Sequence, residues 1–202
     1  MANSIDSLSG AIMERLFVEL EASARHVHLT EADALALFGH KLTRKRDLSQ
    51  PGQYLCEERV TVVGPKGSLS RVAVLGPERP ESQVEISLTD ARVLGVEVSV
   101  RLSGDIRDTP GIRLWGDRGE VTLARGLVAA KRHIHMTPRA AQLQGVKHGD
   151  LVRLQCLTAR PLIFEDVAVR VSDKFATYAH LDFDEANACG FRPGDLGRIV
   201  HG

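Results

Sequence analysis

The chain is expected to fold as a mainly β protein of two related small β-barrels, each with a short capping helix. Three observations carry that expectation. The segment Arg25-His26-Val27-His28-Leu29-Thr30 returns 107 residues later as Arg132-His133-Ile134-His135-Met136-Thr137, so one structural unit occurs twice. Between and after the copies, short β-branched runs alternate with glycine and proline turns, which suits barrels better than a helix-covered parallel sheet. The turns His148-Gly149-Asp150-Leu151 and Pro193-Gly194-Asp195-Leu196 also match one another.

Near the start, Ile5, Leu8, Ile12, Met13 and Leu16 recur at helical spacing behind Ser4, a suitable N-cap. This short amphipathic helix has two readings: it packs on the body of the protein, or it docks a partner. From Phe17 the pattern turns to strand alternation through Val18, Leu20 and Ala22 and runs on into His26 and His28. Thr30 then caps a helix with Glu31 and Asp33 in its first turn, stopped by Gly39. In the second copy Thr137 caps, Pro138 takes the first helical position and the helix ends near Gly145. Each unit is thus a strand with His-x-His at its C-terminal end, followed by a short helix.

Residues 45–54 read as a loop about the Pro51-Gly52 turn, and Arg44, Lys45 and Arg46 form a basic cluster that either faces solvent or holds phosphates. Strands are expected at 59–63 and 69–75, joined by a Gly64-Pro65-Lys66-Gly67 hairpin, and then at 84–88, 98–102, 112–115 and 119–123. After the second helix they are expected at 150–156, 162–171 and 195–200.

Composition narrows the function. With 43% hydrophobic residues in 202, the chain can bury a core. Twenty-six basic residues balance twenty-six acidic ones, so no global field draws it to nucleic acid or to a membrane surface, and an anion must be held by a local site. No run approaches the length of a membrane span. Cys56, Cys156 and Cys189 are distant and odd in number, which points to packing roles in a reducing, cytoplasmic setting.

The chemistry centres on the two His-x-His pairs. On a strand, residues i and i+2 share a face with Cα atoms about 6.6 Å apart, so two imidazoles can converge on one ion. The alternative is a hydrogen-bonded polar face on a half-buried strand. Two histidines rarely complete a metal site, and catalytic sites commonly use three protein ligands. Glu85, an acid between the β-branched neighbours of Val84-Glu85-Ile86, and His180, which opens a polar stretch running from strand to helix, are the candidates for the third ligand. Arg79 lies between Pro77 and Pro80, and a stiffly held guanidinium suits bidentate contact with phosphate or carboxylate.

Seven ordered blocks carry a resemblance. They are Ser23-Ala24-Arg25-His26-Val27-His28-Leu29, Lys45-Arg46-Asp47-Leu48-Ser49-Gln50-Pro51-Gly52-Gln53-Tyr54, Val74-Leu75-Gly76-Pro77, Gln83-Val84-Glu85-Ile86-Ser87, Ser103-Gly104-Asp105-Ile106, Arg132-His133-Ile134-His135-Met136 and Asp184-Glu185-Ala186-Asn187-Ala188. Together they resemble the PduL-type phosphotransacylases, the phosphate propanoyltransferase family, from about residue 17 to residue 198. The resemblance implies a zinc-dependent phosphate acyltransferase that interconverts acyl-CoA plus phosphate with acyl phosphate plus CoA. It implies two barrels with the active site between them, one built from about 17–45 with 124–202 and the other from about 46–123.

Carried over by position, the resemblance implies that His26, His28 and Glu85 hold one zinc ion and His133, His135 and His180 a second, giving two per chain. It makes Arg79 the phosphate-handling residue and gives CoA contacts to Ser23, Lys45, Leu75 and Asn187. Where the family places a CoA-contacting arginine this chain has Ala73, and Arg71 is the expected substitute from the same strand face. The N-terminus is short beside relatives whose extension directs them into bacterial microcompartments, so a free cytoplasmic enzyme is the leading expectation. A homo-oligomer and shell docking through residues 4–16 stay open. The competing activity is a two-metal hydrolase with a water nucleophile.

Overall fold

A computed structural model describes residues 10 and 12–200. Its elements in chain order are β1 (Val18–Ser23), β2 (His26–His28), α1 (Glu31–Phe38), β3 (Arg44–Asp47), β4 (Tyr54–Val63), β5 (Ser68–Gly76), β6 (Gln83–Ile86), α2 (Leu88–Leu94), β7 (Val100–Arg101) and β8 (Ile112–Trp115). They continue with β9 (Glu120–Leu123), β10 (Leu127–Ala130), β11 (His133–Met136), α3 (Pro138–Gln144), β12 (Leu151–Leu157), β13 (Leu162–Val171), β14 (Tyr178–Asp182), α4 (Phe183–Cys189) and β15 (Leu196–Val200). Residues 12–16 are helical, whereas Ser4, Ile5 and Leu8 of the expected first helix lie outside the described residues. Among the described residues no helix is long and apolar enough to cross a membrane.

The chain forms two compact units. One joins the described residues up to Ser23 to those from Arg132 onward, and the other is Ala24–Lys131. In the first, six strands close into a barrel in the order β1-β14-β11-β13-β12-β15, with β15 returning to pair β1. Its core is filled by inward-facing residues such as Val18, Leu20, Ile134, Met136, Leu154, Val169, Ala179 and Leu181. Strand alternation then turns His133, His135 and His180 to the opposite face of their strands.

In the second unit, the strands form an open path, β7-β10-β6-β2-β5-β4-β8-β9, with β3 on the flank of β4. The expectation of a second barrel is met only as an open sheet: its end strands have two and four residues and do not pair with each other among the described residues. Val27, Val74 and Val84 from neighbouring strands meet in its core, again leaving His26 and His28 on the other face.

The two copies of the motif fold alike. Thr30 Oγ1 accepts the Asp33 N–H at 3.0 Å, and Thr137 Oγ1 accepts that of Ala140 at 3.1 Å. Gly39 and Gly145 end the helices with φ of 78° and 68°, a region that costs glycine little. Two further helices have capping boxes, Ser87 with Asp90 before α2 and Asp182 with Glu185 before α4. The hairpin glycines Gly64 and Gly67 are required by close approach, since an added Cβ would lie 2.3 Å from the Leu94 carbonyl and 2.5 Å from that of Val93.

Several expectations are corrected. The alternation from Phe17 to His28 is two strands, β1 in the barrel and β2 in the open sheet, because period-two patterning continues across the 24–25 break without marking it. The histidines do not end a long strand: His26 opens the three-residue β2, and His133 opens β11. The expected unit boundaries at 45/46 and 123/124 fall elsewhere. Residues 24–45 and 124–131 pack with the second unit, where β2 bonds to β5 and β6, and β10 to β6 and β7. Residues 44–47 are a strand rather than loop, and all four side chains are exposed, so no alternation signals it.

Candidate functional site

In the open sheet the ladder itself assembles one donor group. On antiparallel β6, Glu85 lies directly across from His26 and Gln83 across from His28. Glu85 Oε1 is 3.5 Å from His26 Nε2 and 3.9 Å from His28 Nε2, and all three side chains are buried. Both imidazoles are turned inward by their other nitrogen: His26 Nδ1 bonds the Ala24 carbonyl at 2.8 Å and His28 Nδ1 the Leu75 carbonyl at 3.2 Å.

The electrostatics follow from this packing. Burial alone would raise the Glu85 carboxyl, but the charge and hydrogen bond of His26, then His28 and Ser103, hold it well below the usual carboxylate range. Burial also opposes a charged His26, yet Glu85 outweighs it and raises the imidazole. His28 is pushed well below its ordinary value by burial, by His26 and by the positive charge of Arg79. A neutral imidazole and an ionised carboxylate are the forms a metal requires.

In the closed barrel, register places His180 opposite His133 and beside Glu21 of β1. The rings of His133, His135 and His180 lie 4.6 to 4.9 Å apart, and His135 Nδ1 is 3.2 Å from His180 Nε2. His180 turns its Nδ1 to Glu21 Oε2 at 3.4 Å, and Phe175 packs on His135 with ring centroids 4.1 Å apart.

The donor chemistry fits divalent ions at both places. Ligand atoms about 2.0–2.2 Å from one tetrahedral ion stand roughly 3.3 Å from each other. Within each group the donor atoms all lie within 4.8 Å of one another. Separations of 3.2, 3.5 and 3.9 Å therefore need only small side-chain shifts.

Arg79 stands in the loop between β5 and β6. Its backbone N–H donates to the Leu29 carbonyl at 2.8 Å, and its Nη1 to Ser103 Oγ at 2.9 Å. Other expected positions are more dispersed. Leu75 lies on β5 with its carbonyl on His28, while Lys45 on β3 is ion-paired with Glu57 at 2.7 Å. Arg71 is exposed with φ +55°, beside a register shift of β4 against β5, so regular alternation does not relate it to Ala73. Ser23 pairs with Asp182 at the end of β1, and Asn187 is exposed on α4. Sequence reasoning missed Glu21, Gln83 and Ser103 as supports. The first shares a strand face with Ser23, and the other two stand inside blocks that carried the resemblance.

Fold and donor sets together describe a class: a β scaffold carrying two histidine groups suited to divalent ions. The comparisons sharpen this. A family model described as phosphate propanoyltransferase matches residues 19–192. The chain is 50% identical over 198 residues to a phosphate propanoyltransferase of Clostridioides difficile, covering 97% of this chain and 95% of that one. It is 55% identical over 185 residues to one of Listeria monocytogenes, covering 91% and 87%, and 54% identical over 184 residues to one of Enterococcus faecalis, covering 90% and 87%. The chain belongs to the phosphate propanoyltransferase family, and it is a phosphate acyltransferase.

Proposed function

We propose that the enzyme transfers an acyl group, propanoyl or acetyl, between CoA sulfur and inorganic phosphate, reversibly and without a covalent enzyme intermediate. The observation that carries this reading is Arg79, held beside the His26–His28–Glu85 group in a family member. His26, His28 and Glu85 would hold one zinc ion, and His133, His135 and His180 another. When bound, such ions supply Lewis acidity toward oxygen and affinity for a thiolate.

The chain's own residues do the rest. Arg79 donates through Nη1 to Ser103, and its planar, permanently charged guanidinium suits bidentate contact with phosphate. A phosphate oxygen attacks the thioester carbonyl carbon, a C–O bond forms, the C–S bond breaks and CoA leaves as thiolate. Contacts to CoA are assigned to Ser23, Lys45, Leu75 and Asn187 from the family resemblance. Direct transfer is supported by the state of the only thiols. Burial pushes Cys56 up to about 12, burial and then Cys189 push Cys156 up to about 12, and burial raises Cys189, so none is a ready nucleophile.

The test is an assay of CoA release from propanoyl-CoA and acetyl-CoA with and without phosphate, with acyl phosphate trapped by hydroxylamine. Phosphate-dependent release with acyl phosphate as product is expected. Free acid as the main product in the presence of phosphate would overturn the reading and favour the hydrolase. Initial-rate plots should intersect, whereas parallel lines would indicate a covalent intermediate.

A further inference from the structure

Beneath the Arg79 side chain lies a hydrogen-bond network whose donors and acceptors can be assigned one by one. Gln83 is 3% exposed. Its Oε1 accepts the Gly104 N–H at 2.8 Å, and because a backbone N–H can only donate, the amide orientation is fixed. Gln83 Nε2 therefore donates, to Glu85 Oε1 at 2.6 Å and to Ser103 Oγ at 3.2 Å. The turn that brings this N–H into place has Gly104 at φ +95°.

Ser103 is then fully committed. Its Oγ accepts from Gln83 and from Arg79 Nη1, which uses both lone pairs. Its hydroxyl also helps to hold the Glu85 carboxyl in its charged form. Arg79, Ser103, Gln83 and Glu85 form one chain, in which the Gln83 amide bridges Ser103 and Glu85. A guanidinium carried on a flexible stem needs such a partner to keep its fork in one rotation.

We infer that Ser103 is a positioning residue that fixes the Arg79 guanidinium for phosphate and ties it to the Glu85 carboxylate. This rests on the assignment of Arg79 to phosphate. Losing Ser103 leaves Glu85 its hydrogen bond from Gln83, so the donor group should survive while Arg79 loosens. The expected signature is a phosphate defect without a metal defect.

The experiment compares wild type, Ser103→Ala, Ser103→Thr, Arg79→Ala and the Arg79→Ala/Ser103→Ala double variant, measuring bound metal, phosphate KM, acyl-CoA KM and kcat. Ser103→Ala should raise phosphate KM about tenfold, the scale of one charge-assisted hydrogen bond, with acyl-CoA KM and metal content unchanged. Ser103→Thr, which keeps the hydroxyl, should restore most of the loss. In the Arg79→Ala background, removing Ser103 should change kcat/KM for phosphate no further. An unchanged phosphate KM in Ser103→Ala, an equal rise in acyl-CoA KM, or full additivity in the double variant would overturn the relay while leaving the arginine assignment intact. Unchanged phosphate kinetics in Arg79→Ala would remove that assignment and the relay together. Should Ser103→Ala not fold, Ser103→Cys, nearly isosteric but a poor acceptor, is judged by the same criteria.

Discussion

The two histidine groups begin from the same hexapeptide pattern and end with different chemistry. In the open sheet, His26 and His28 meet a carboxylate, Glu85, and both are oriented by main-chain carbonyls. In the closed barrel, His133 and His135 meet a third imidazole, His180, which is oriented by the side chain of Glu21. Ring geometry within each pair is similar, 5.0 Å and 86° against 4.6 Å and 72°. The third donor differs because a different antiparallel strand pairs with the motif, β6 in one case and β14 in the other. One carboxylate would offset half the charge of a divalent ion, whereas three imidazoles offset none. An ion held by the His180 group would thus keep more of its positive charge, and the outer support of that group can be altered by mutation.

The largest expected effect is loss of the ions. Removing metal with a chelator should abolish turnover, and zinc or cobalt should restore it. Active protein with well under one ion per chain would sink the two-ion reading. Single replacements break the comparison into halves: Glu85→Ala and His180→Ala should each leave about one ion per chain and reduce kcat/KM by about 1,000-fold, the scale of several kcal/mol. If either variant lost both ions, the two groups would not bind independently.

Arg79→Lys should have a smaller effect, raising phosphate KM about tenfold while metal content and acyl-CoA KM hold, because the charge remains and the fork is lost. Equal phosphate KM values for the variant and wild type would remove Arg79 from phosphate binding. Glu21→Gln sharpens the contrast further. Affinity at the three-histidine group should fall by about 10- to 100-fold in a chelator competition, with the other group unaffected. Equal weakening of both groups, or of neither, would deny Glu21 its orienting role.

The smallest effects belong to the thiols. Cys56→Ala, Cys156→Ala and Cys189→Ala should keep phosphate-dependent turnover. The folded enzyme should react with a thiol reagent at pH 8 far more slowly than the unfolded chain, because burial pushes Cys56 and Cys156 up to about 12. An acylated Cys189 recovered after incubation with acyl-CoA alone would overturn direct transfer.

Local chemistry was legible around the two histidine motifs. Alternation around Val27 and Ile134 announced strands, Thr30 and Thr137 announced helix starts, and i, i+2 spacing placed each histidine pair on one face. These features depend only on backbone geometry within a few residues. The Ser87–Asp90 capping box was also present in the chain, yet α2 is too short for periodicity to reveal. Edge strand β3 stayed hidden because Arg44, Lys45, Arg46 and Asp47 are all exposed and leave no hydrophobic period to read.

By itself the sequence determined a duplicated strand–helix unit, a mainly β fold, two pairs of aligned imidazoles and membership of a family readable from seven blocks. Only the tertiary structure decided that the strand pattern from Phe17 divides between two sheets, and that one sheet closes while the other stays open. It also decided the partners that complete each group. Glu85 and Gln83 reach His26 and His28 through the register of β2 on β6, and Glu21 reaches His180 through that of β1 on β14. Register between strands 57 or 159 residues apart is set by how their hydrophobic faces pack and by the turns between them, neither of which a local residue pattern contains.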